Sequence, residues 1–564
     1  CSQGMFMFLV VNREKALKNT RTICPPTLLD PIFSKLKVDE SENLLFMVLQ
    51  FVYTFGLIVY LSAVIWLRFA INAGTITILF CALGVIGGAI NLLKTLSFIY
   101  KVNLLLLLAF SLFLFGLFSE PHKVKLEDKV PLTSVAFQDR QNFDEYLKNW
   151  MNQHATEFKR DSIVPMIFVH ADGGASRSGY WVASVLSKLE DQSAFSHNLF
   201  CLSGASGGSV GNATFFSLLY LKQHNKSPFL PQAQQFLSTD FLSYTLARML
   251  GPGALINLIA PIIPDRARAL EASLERGAKN TTGINRFFKR EFSTLTATRK
   301  NTHYRLPILA INVTRMQDGN PALISNISID TSVSKARLDI LGQIQKGKDI
   351  RFSSATILSA RFPYLSPAGL IVQQTANPLD TSQIVDQHHY YVDGGYFDNS
   401  GAGVIQEMIQ KIERLKNDTA VHVNTPVNFD IRQLKKLRYV IIHISNTRLR
   451  KNTLPRIHPI KNDLFAPIVT IAGTYGSQTA VNNSRLQDYF YSLNKNDKAL
   501  TSTGLNQYFD INLYTRNPKE SYPMNWVISN AVRHKMDYRL NHQDTLNKLI
   551  NALKLYYLKH PREE

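Results

Sequence analysis

The chain has 564 residues, more than one ordinary domain holds and enough for at least one large core. Hydrophobic residues make up 45% and charged residues 18%, which excludes disorder for most of the chain and points to a membrane portion. The formal charge of +20 and a pI of about 9.6 suit an anionic partner. With no zinc-finger spacing and no RRM-type motif, that partner reads as a lipid surface and not a nucleic acid.

In chain order, residues 1–43 form a basic N-terminal segment with Arg13, Lys15, Lys18, Arg21, Lys35 and Lys37. Its start at Cys1 fits an incomplete or a processed chain. Residues 44–120 form a transmembrane region with three uncharged apolar runs at 44–67, 69–93 and 102–118. A spanning helix needs roughly 20 apolar residues, which the first two supply and the third approaches. Buried helices of a soluble core are the alternative, but runs this long without charge are the usual mark of spans. Arg68 alone separates the first two, so a tight helical hairpin is expected, with Gly84, Gly87 and Gly88 available for close helix contact. Positive charge before the first run, with Lys94 and Lys101, puts the N-terminus in the cytoplasm. Lys123, Lys125 and Lys129 argue the reverse, so the side of the remaining chain stays open. The cysteines Cys1, Cys24, Cys81 and Cys201 include no C-x-x-C, so neither a disulfide framework nor a zinc site is expected.

Residues 130–564 read as an α/β catalytic domain. Short apolar runs at 164–169, 199–202, 306–311 and 439–444 are the pattern of strands buried on both faces. Helical patterns at 178–190, 208–222, 265–277, 401–416 and 543–558 alternate with them, which predicts a largely parallel sheet. An apolar cap or insertion is expected around 225–300. Within it, 241–264 is broken by Gly251-Pro252-Gly253, Pro261 and Pro264, so it is not a simple span. It reads as helical pieces that cap the site and line an acyl channel, or that dip into the bilayer interface; ordinary core packing is the other option. The stretch Arg286-Phe287-Phe288-Lys289-Arg290-Glu291-Phe292 alternates basic and aromatic residues, as either a lipid-facing or a plain amphipathic surface would.

Three glycine-rich motifs follow strand patterns. Gly204-Ala205-Ser206-Gly207-Gly208 is a G-x-S-x-G: a serine on a turn too sharp for flanking side chains, at a helix N-terminus that favours negative charge. Asp172-Gly173-Gly174-Ala175-Ser176-Arg177-Ser178-Gly179 can offer backbone amides as an oxyanion hole. A nucleotide loop is the rival, but Tyr180-Trp181 stand where it needs Lys and Ser or Thr. Arg177 either steadies this loop, attracts a phosphate head group or lies solvated. Asp393-Gly394-Gly395 places a carboxylate at a strand end on a sharply turned loop.

The three motifs in this order resemble the patatin-like phospholipase family. The resemblance covers roughly residues 160–450 and includes Ser359-Ala360-Arg361-Phe362-Pro363-Tyr364, similar to that family's S-A-x-F-P segment. It implies a patatin-like three-layer α/β fold with a largely parallel central sheet, here preceded by about three transmembrane helices. It implies Ser206 as nucleophile and Asp393 as general base, a dyad without histidine. It further implies Gly173, Gly174 and Ala175 as the oxyanion hole. Arg177, Gly204, Gly208, Gly394, Gly395 and Asn399 are the implied supporting residues. The glycine loop departs from the family pattern: Ala175 replaces the third glycine, a residue that resists φ > 0, and Ser178 precedes Gly179. The rival is a Ser-Asp-His triad running Ser206, Asp393, then His443, His458, His534 or His542. His443 sits inside an apolar strand pattern and reads as a core histidine; His170, His388 and His389 come too early in the chain.

The expectation is an integral, multi-pass enzyme of the bacterial inner (cell) membrane. It would cleave carboxylic esters of membrane phospholipids or lysophospholipids through an acyl-serine. No cofactor, no metal and no nucleic acid is expected to take part. Acyl transfer to another alcohol, or a catalytically silent membrane scaffold, are the alternatives.

Overall fold

The computed structural model describes residues 43–128, 137, 139–222, 227–253, 257, 264–296, 306–362, 366–377, 380–417, 427–448, 459–494, 497–505, 507–515, 517 and 520–561. It is a mixed α/β structure that divides into two compact units: Cys1–Pro121 with Leu242–Ala269, and His122–Phe241 with Leu270–Glu564.

In the first unit the helices Asn43–Ile65, Leu67–Ala73, Thr75–Tyr100 and Leu104–Phe118 follow one another. The expected run 69–93 is therefore not one helix. The chain breaks at Trp66, which is extended, and again at Gly74, which takes φ 78°. A short helix carrying Arg68 lies between the breaks. Hydropathy is blind to a break made by backbone conformation in an apolar run. Among the described residues, Thr75–Tyr100 is long and apolar enough to cross a membrane; the apolar stretches Phe51–Ile65 and Leu104–Phe118 are shorter. Gly88 lets two helices approach, since a Cβ there would stand 2.6 Å from the Tyr53 ring Cδ2.

The helix Ser243–Leu250, from the interrupted segment 241–264, packs on these apolar helices. The Tyr60 hydroxyl donates to the Ala247 carbonyl at 2.8 Å, and the Thr75 and Ser243 hydroxyls are 2.8 Å apart. Residues 254–256 and 258–263 of that segment lie outside the described residues.

The second unit holds the strands β1 (Leu126–Asp128), β2 (Val164–Ala171), β3 (Leu199–Gly204), β4 (Ile308–Arg315), β5 (Pro321–Ser325), β6 (Leu338–Asp339), β7 (Lys348–Ile350), β8 (Gly369–Asn377), β9 (Asp380–Asp393), β10 (Leu437–Ser445) and β11 (Phe509–Asn512). The main sheet runs β11-β10-β2-β3-β4-β5-β6, with β11 through β4 mutually parallel. β1 and β7 form a separate antiparallel pair. Alternate residues of the central strands (Val164, Met166 and Phe168; Leu437, Tyr439 and Ile441) join the helices Phe143–Gln153 and Ala402–Asn417 in one apolar cluster. The intervening Ile167, Val169, Val440 and Ile442 are equally buried, so both faces of the sheet are covered.

The segment 286–292 exposes Arg286, Lys289 and Arg290 and turns its aromatics into the core, so it is a plain amphipathic surface and its phenylalanines do not face outward. Phe287, Phe288 and Phe292 are buried around Phe352, with ring centroids 4.9, 5.2 and 5.9 Å away. A 3₁₀ turn at Phe287–Lys289 sends adjacent aromatics inward, which alternation alone does not reveal.

Candidate active site

The site forms where the carboxyl ends of β2, β3 and β10 meet the end of β9. One strand explains how Ser206 and Asp393 come together. β5 occupies one edge of β4 over Ala310–Thr314. β3 takes the other edge, but only from Cys201↔Ile308 to Gly204↔Ile311. β9 then enters antiparallel on the stretch that β3 has vacated, with Asp393 opposite Val313. The aspartate therefore ends two β4 residues beyond the point where β3 turns away to Ser206.

Ser206 lies between β3 and the helix Gly207–Leu221 at φ 52°, ψ −126°. A non-glycine residue there is strained, and such strain is held by the surroundings. Its amide donates to the Ser359 carbonyl at 3.0 Å and to Ser359 Oγ at 3.1 Å. The same Ser359 carbonyl accepts from the Gly394 amide at 3.2 Å, and the Ser359 hydroxyl donates to the Asn312 carbonyl at 2.6 Å. Ser359 thus joins the serine turn, the aspartate turn and β4. Gly204 and Gly208 sit where no side chain fits: a Cβ would lie 2.8 Å from Asn212 Nδ2 and 2.8 Å from the Asp172 carbonyl, respectively. A Cβ on Gly394 would overlap the Asn312 carbonyl.

Asp393 is fully buried. Its Oδ1 accepts from the Gly395 amide at 2.8 Å, while Oδ2 has no hydrogen bond of full geometry. Burial pushes the carboxyl up to about 7, against the opposing pull of the Gly395 amide and the Ser206 hydroxyl.

The glycine loop borders Ser206 from the other side. A Cβ on Gly173 would stand 2.9 Å from Ser206 Cβ and overlap the Asn399 side chain. The Gly173 amide is engaged, donating to the Asn399 carbonyl at 2.7 Å. That leaves Gly174 and Ala175 as the loop amides with no acceptor among the described residues. Gly174 takes φ 153°, and Ala175 takes φ 54° despite its Cβ. The alanine adopts the left-handed conformation that a glycine would take there, at a cost on the order of 1 kcal/mol.

Arg177 is turned into the protein. It donates to the Tyr514 hydroxyl (3.1 Å), the Tyr522 carbonyl (2.8 Å) and Asn446 Oδ1 (2.6 Å). Asn446 in turn donates to the Gly173 carbonyl at 3.0 Å. Arg177 accordingly steadies the loop. Asn399 is anchored by the Thr479 hydroxyl at 3.1 Å, and Asp398 caps the following turn through Ser400, Gly401 and Gly403.

Both ring nitrogens of His443 face carboxylates, Asp172 at 2.9 Å and Asp510 at 3.3 Å, so this ring is committed away from Ser206. His542 faces the Tyr538 carbonyl, and His458 lies outside the described residues, as do Pro363 and Tyr364. Asn446 and Asn312 carry no sequence motif, while Asp172, His443 and Ser359 stand out in sequence only as the start of the glycine loop, a core or rival-triad histidine and the start of the S-A-x-F-P segment. A lone polar residue within an apolar strand was the available signal for His443 and Asn312. Elsewhere, ligand atoms of His154, Glu157 and His197 lie within 4.8 Å of one another. His154 faces the carbonyls of Trp150 (2.8 Å) and His197 (3.0 Å), and His197 pairs with Glu157, so these ring nitrogens already have partners within the protein.

A scan against known protein families finds no match, and neither does a comparison with curated proteins. Among solved structures, the chain is similar to VipD from Legionella pneumophila, at 11% identity over 70% of this chain and 67% of that chain, with a TM-score of 0.25. That similarity is too loose to transfer a residue or an activity.

Proposed function

We propose that the chain is a membrane-bound serine acyl-hydrolase of patatin-like fold that cleaves carboxylic esters of phospholipids or lysophospholipids. The observation that carries this reading is Ser206 on a strained strand-to-helix turn, beside a buried Asp393 whose carboxyl is pushed up to about 7. Such a carboxylate is a competent base near neutral pH.

In this reading Ser206 Oγ attacks the ester carbonyl and its proton passes to Asp393. The oxyanion is held by the Gly174 and Ala175 amides and by the N-terminus of the helix Gly207–Leu221. The C–O bond breaks, and the alcohol leaves with the proton from Asp393. Water then attacks the acyl-serine, gives a proton to Asp393, and releases the fatty acid as Ser206 recovers its proton. The helix Thr75–Tyr100, long and apolar enough to cross a membrane, supports attachment to the membrane in which such a substrate lies; in this reading the attachment is multi-pass and the membrane is the cell membrane. The test is fatty-acid release from phospholipid vesicles by wild type, Ser206→Ala and Asp393→Asn. Activity that survives Ser206→Ala rules this reading out.

A further inference from the structure

Strand register places a buried histidine pair behind the glycine loop. β10 and β2 align His443 with His170, and β10 and β11 align His443 with Asp510. The two imidazoles stack with centroids 4.2 Å apart and planes within 5°. Two charges that close would repel, and the surroundings separate them. Burial, then the charge of His443, holds His170 well below its ordinary value; the Tyr508 hydroxyl lies 2.6 Å from its Nε2. Burial also pulls His443 down, but Asp172, Asp510 and Asp398 together outweigh it and leave it raised.

His443 Nε2 lies 2.9 Å from Asp172 Oδ1, and Nδ1 lies 3.3 Å from Asp510 Oδ1. An imidazolium donates an N–H to each carboxylate, whereas a neutral ring would turn a lone pair toward one of them. Asp172 is the first residue of the glycine loop. Its other oxygen is held by the Thr447 hydroxyl at 3.1 Å and the Asn446 amide at 3.4 Å. Its carbonyl accepts from the Ser178 hydroxyl and from Asn446 Nδ2. Asp510 also accepts from the Ser445 hydroxyl at 2.7 Å, and its side chain is half exposed. The nearby cation on this network, Arg177, is bound to Asn446, Tyr514 and Tyr522.

We propose that His443 is a positioning residue: as an imidazolium between Asp172 and Asp510 it fixes the loop 172–175 beside Ser206, and its deprotonation releases that loop. The clamp is complete below the ordinary histidine value and is lost as pH rises through the raised one. Asp393 must be ionised to accept a proton, so activity climbs through about pH 7. The two groups therefore give a bell with separately owned limbs. The activity readout rests on the hydrolase reading above; the stability readout does not.

The test uses the full chain in detergent, comparing wild type, Asp510→Asn and His443→Gln. All three should share the ascending limb. Asp510→Asn should move the descending limb toward acid by on the order of half a pH unit to one. His443→Gln cannot titrate; it should remove the descending limb and lower kcat by about tenfold, less than a lost oxyanion donor costs, with KM little changed. A packing role alone would lower the whole profile and move neither limb, which overturns the proposal. Melting temperature against pH gives the second reading. The stability deficit of His443→Gln should be present at about pH 6 and fade as the wild-type imidazolium deprotonates. A deficit that does not vary with pH overturns the clamp whether or not hydrolysis is detected, and absent hydrolysis in wild type overturns only the hydrolase reading.

Discussion

Gly173 lies against Ser206 with no room for one more carbon: a Cβ would stand 2.9 Å from Ser206 Cβ and overlap Asn399. Its backbone is not left-handed, so the glycine is required for space and not for φ. Gly173→Ala is expected to push the loop off the serine. Overpacking of this kind costs about 1–3 kcal/mol. The displaced amides should cost activity on the scale of a lost oxyanion donor, roughly 10²–10³-fold. Fatty-acid release and thermal unfolding measure the two effects; activity within about threefold of wild type would show that the loop amides do not serve Ser206.

Asp393 ties activity and stability to the same titration in opposite senses. Its folded value of about 7 lies above the ordinary carboxyl value, so the native state binds the proton more tightly than the unfolded chain. Stability is therefore lost as pH rises from about 4 to about 7, by up to about 4 kcal/mol. Activity rises over the upper part of that window, because the base must be ionised. Asp393→Asn should abolish hydrolysis and raise the melting temperature at pH 8 while changing it little at pH 4. A variant less stable than wild type at pH 8 would count against the raised carboxyl.

The serine turn and the glycine loop were legible as local glycine patterns after an apolar strand, and the aspartate turn as an aspartate followed by two glycines. Their meeting was implied only by the family resemblance and not by the residues themselves. It depends on β9 entering the edge of β4 that β3 leaves at Gly204, a register relation between residues far apart in the chain. The β8–β9 hairpin itself is largely polar, with residues such as Gln373, Gln374, Asp386 and Gln387, so no apolar run marked it. The long helix Pro459–Asn494 escaped for a related reason: its apolar positions form no strong stripe. The break at Gly74 and the left-handed Ala175 are backbone events, which residue type hints at but does not determine.

Ser359 should matter to both halves of the dyad. Its hydroxyl donates to Asn312 O, accepts from the Ser206 amide and lies 2.9 Å from the Ser209 hydroxyl, all in a buried setting. Ser359→Ala leaves those partners short of a hydrogen bond, a cost of about 1–3 kcal/mol. The Ser359 carbonyl still holds the Ser206 and Gly394 amides, so activity should fall by about tenfold and not vanish. Single-turnover labelling of Ser206 by a fluorophosphonate, followed against time, reads the effect on the serine directly.

Ala175 offers a change in the stabilising direction. At φ 54° its Cβ is strained, and glycine would relieve that strain at the same position. Ala175→Gly is expected to gain about 0.5–1 kcal/mol, offset in part by the greater freedom of glycine in the unfolded chain, with activity retained. Urea unfolding with an unchanged m-value would register it. Destabilisation would show that the alanine methyl makes contacts worth more than the strain it carries.

The apolar unit has its own close approach, between Gly88 and Tyr53. A methyl at position 88 would press on the tyrosine ring, 2.6 Å from Cδ2, so Gly88→Ala should cost about 1–3 kcal/mol of helix packing. The cause is a single pair, which a double-mutant cycle isolates. Tyr53→Ala alone should cost some packing, but in that background the ring that crowds the extra methyl at 88 is gone. The effect of Gly88→Ala should then shrink to a few tenths of a kcal/mol. Thermal unfolding of the four proteins in one detergent provides the measurement. Equal costs of Gly88→Ala with and without the ring would mean that the two helices do not meet at these residues in the folded protein.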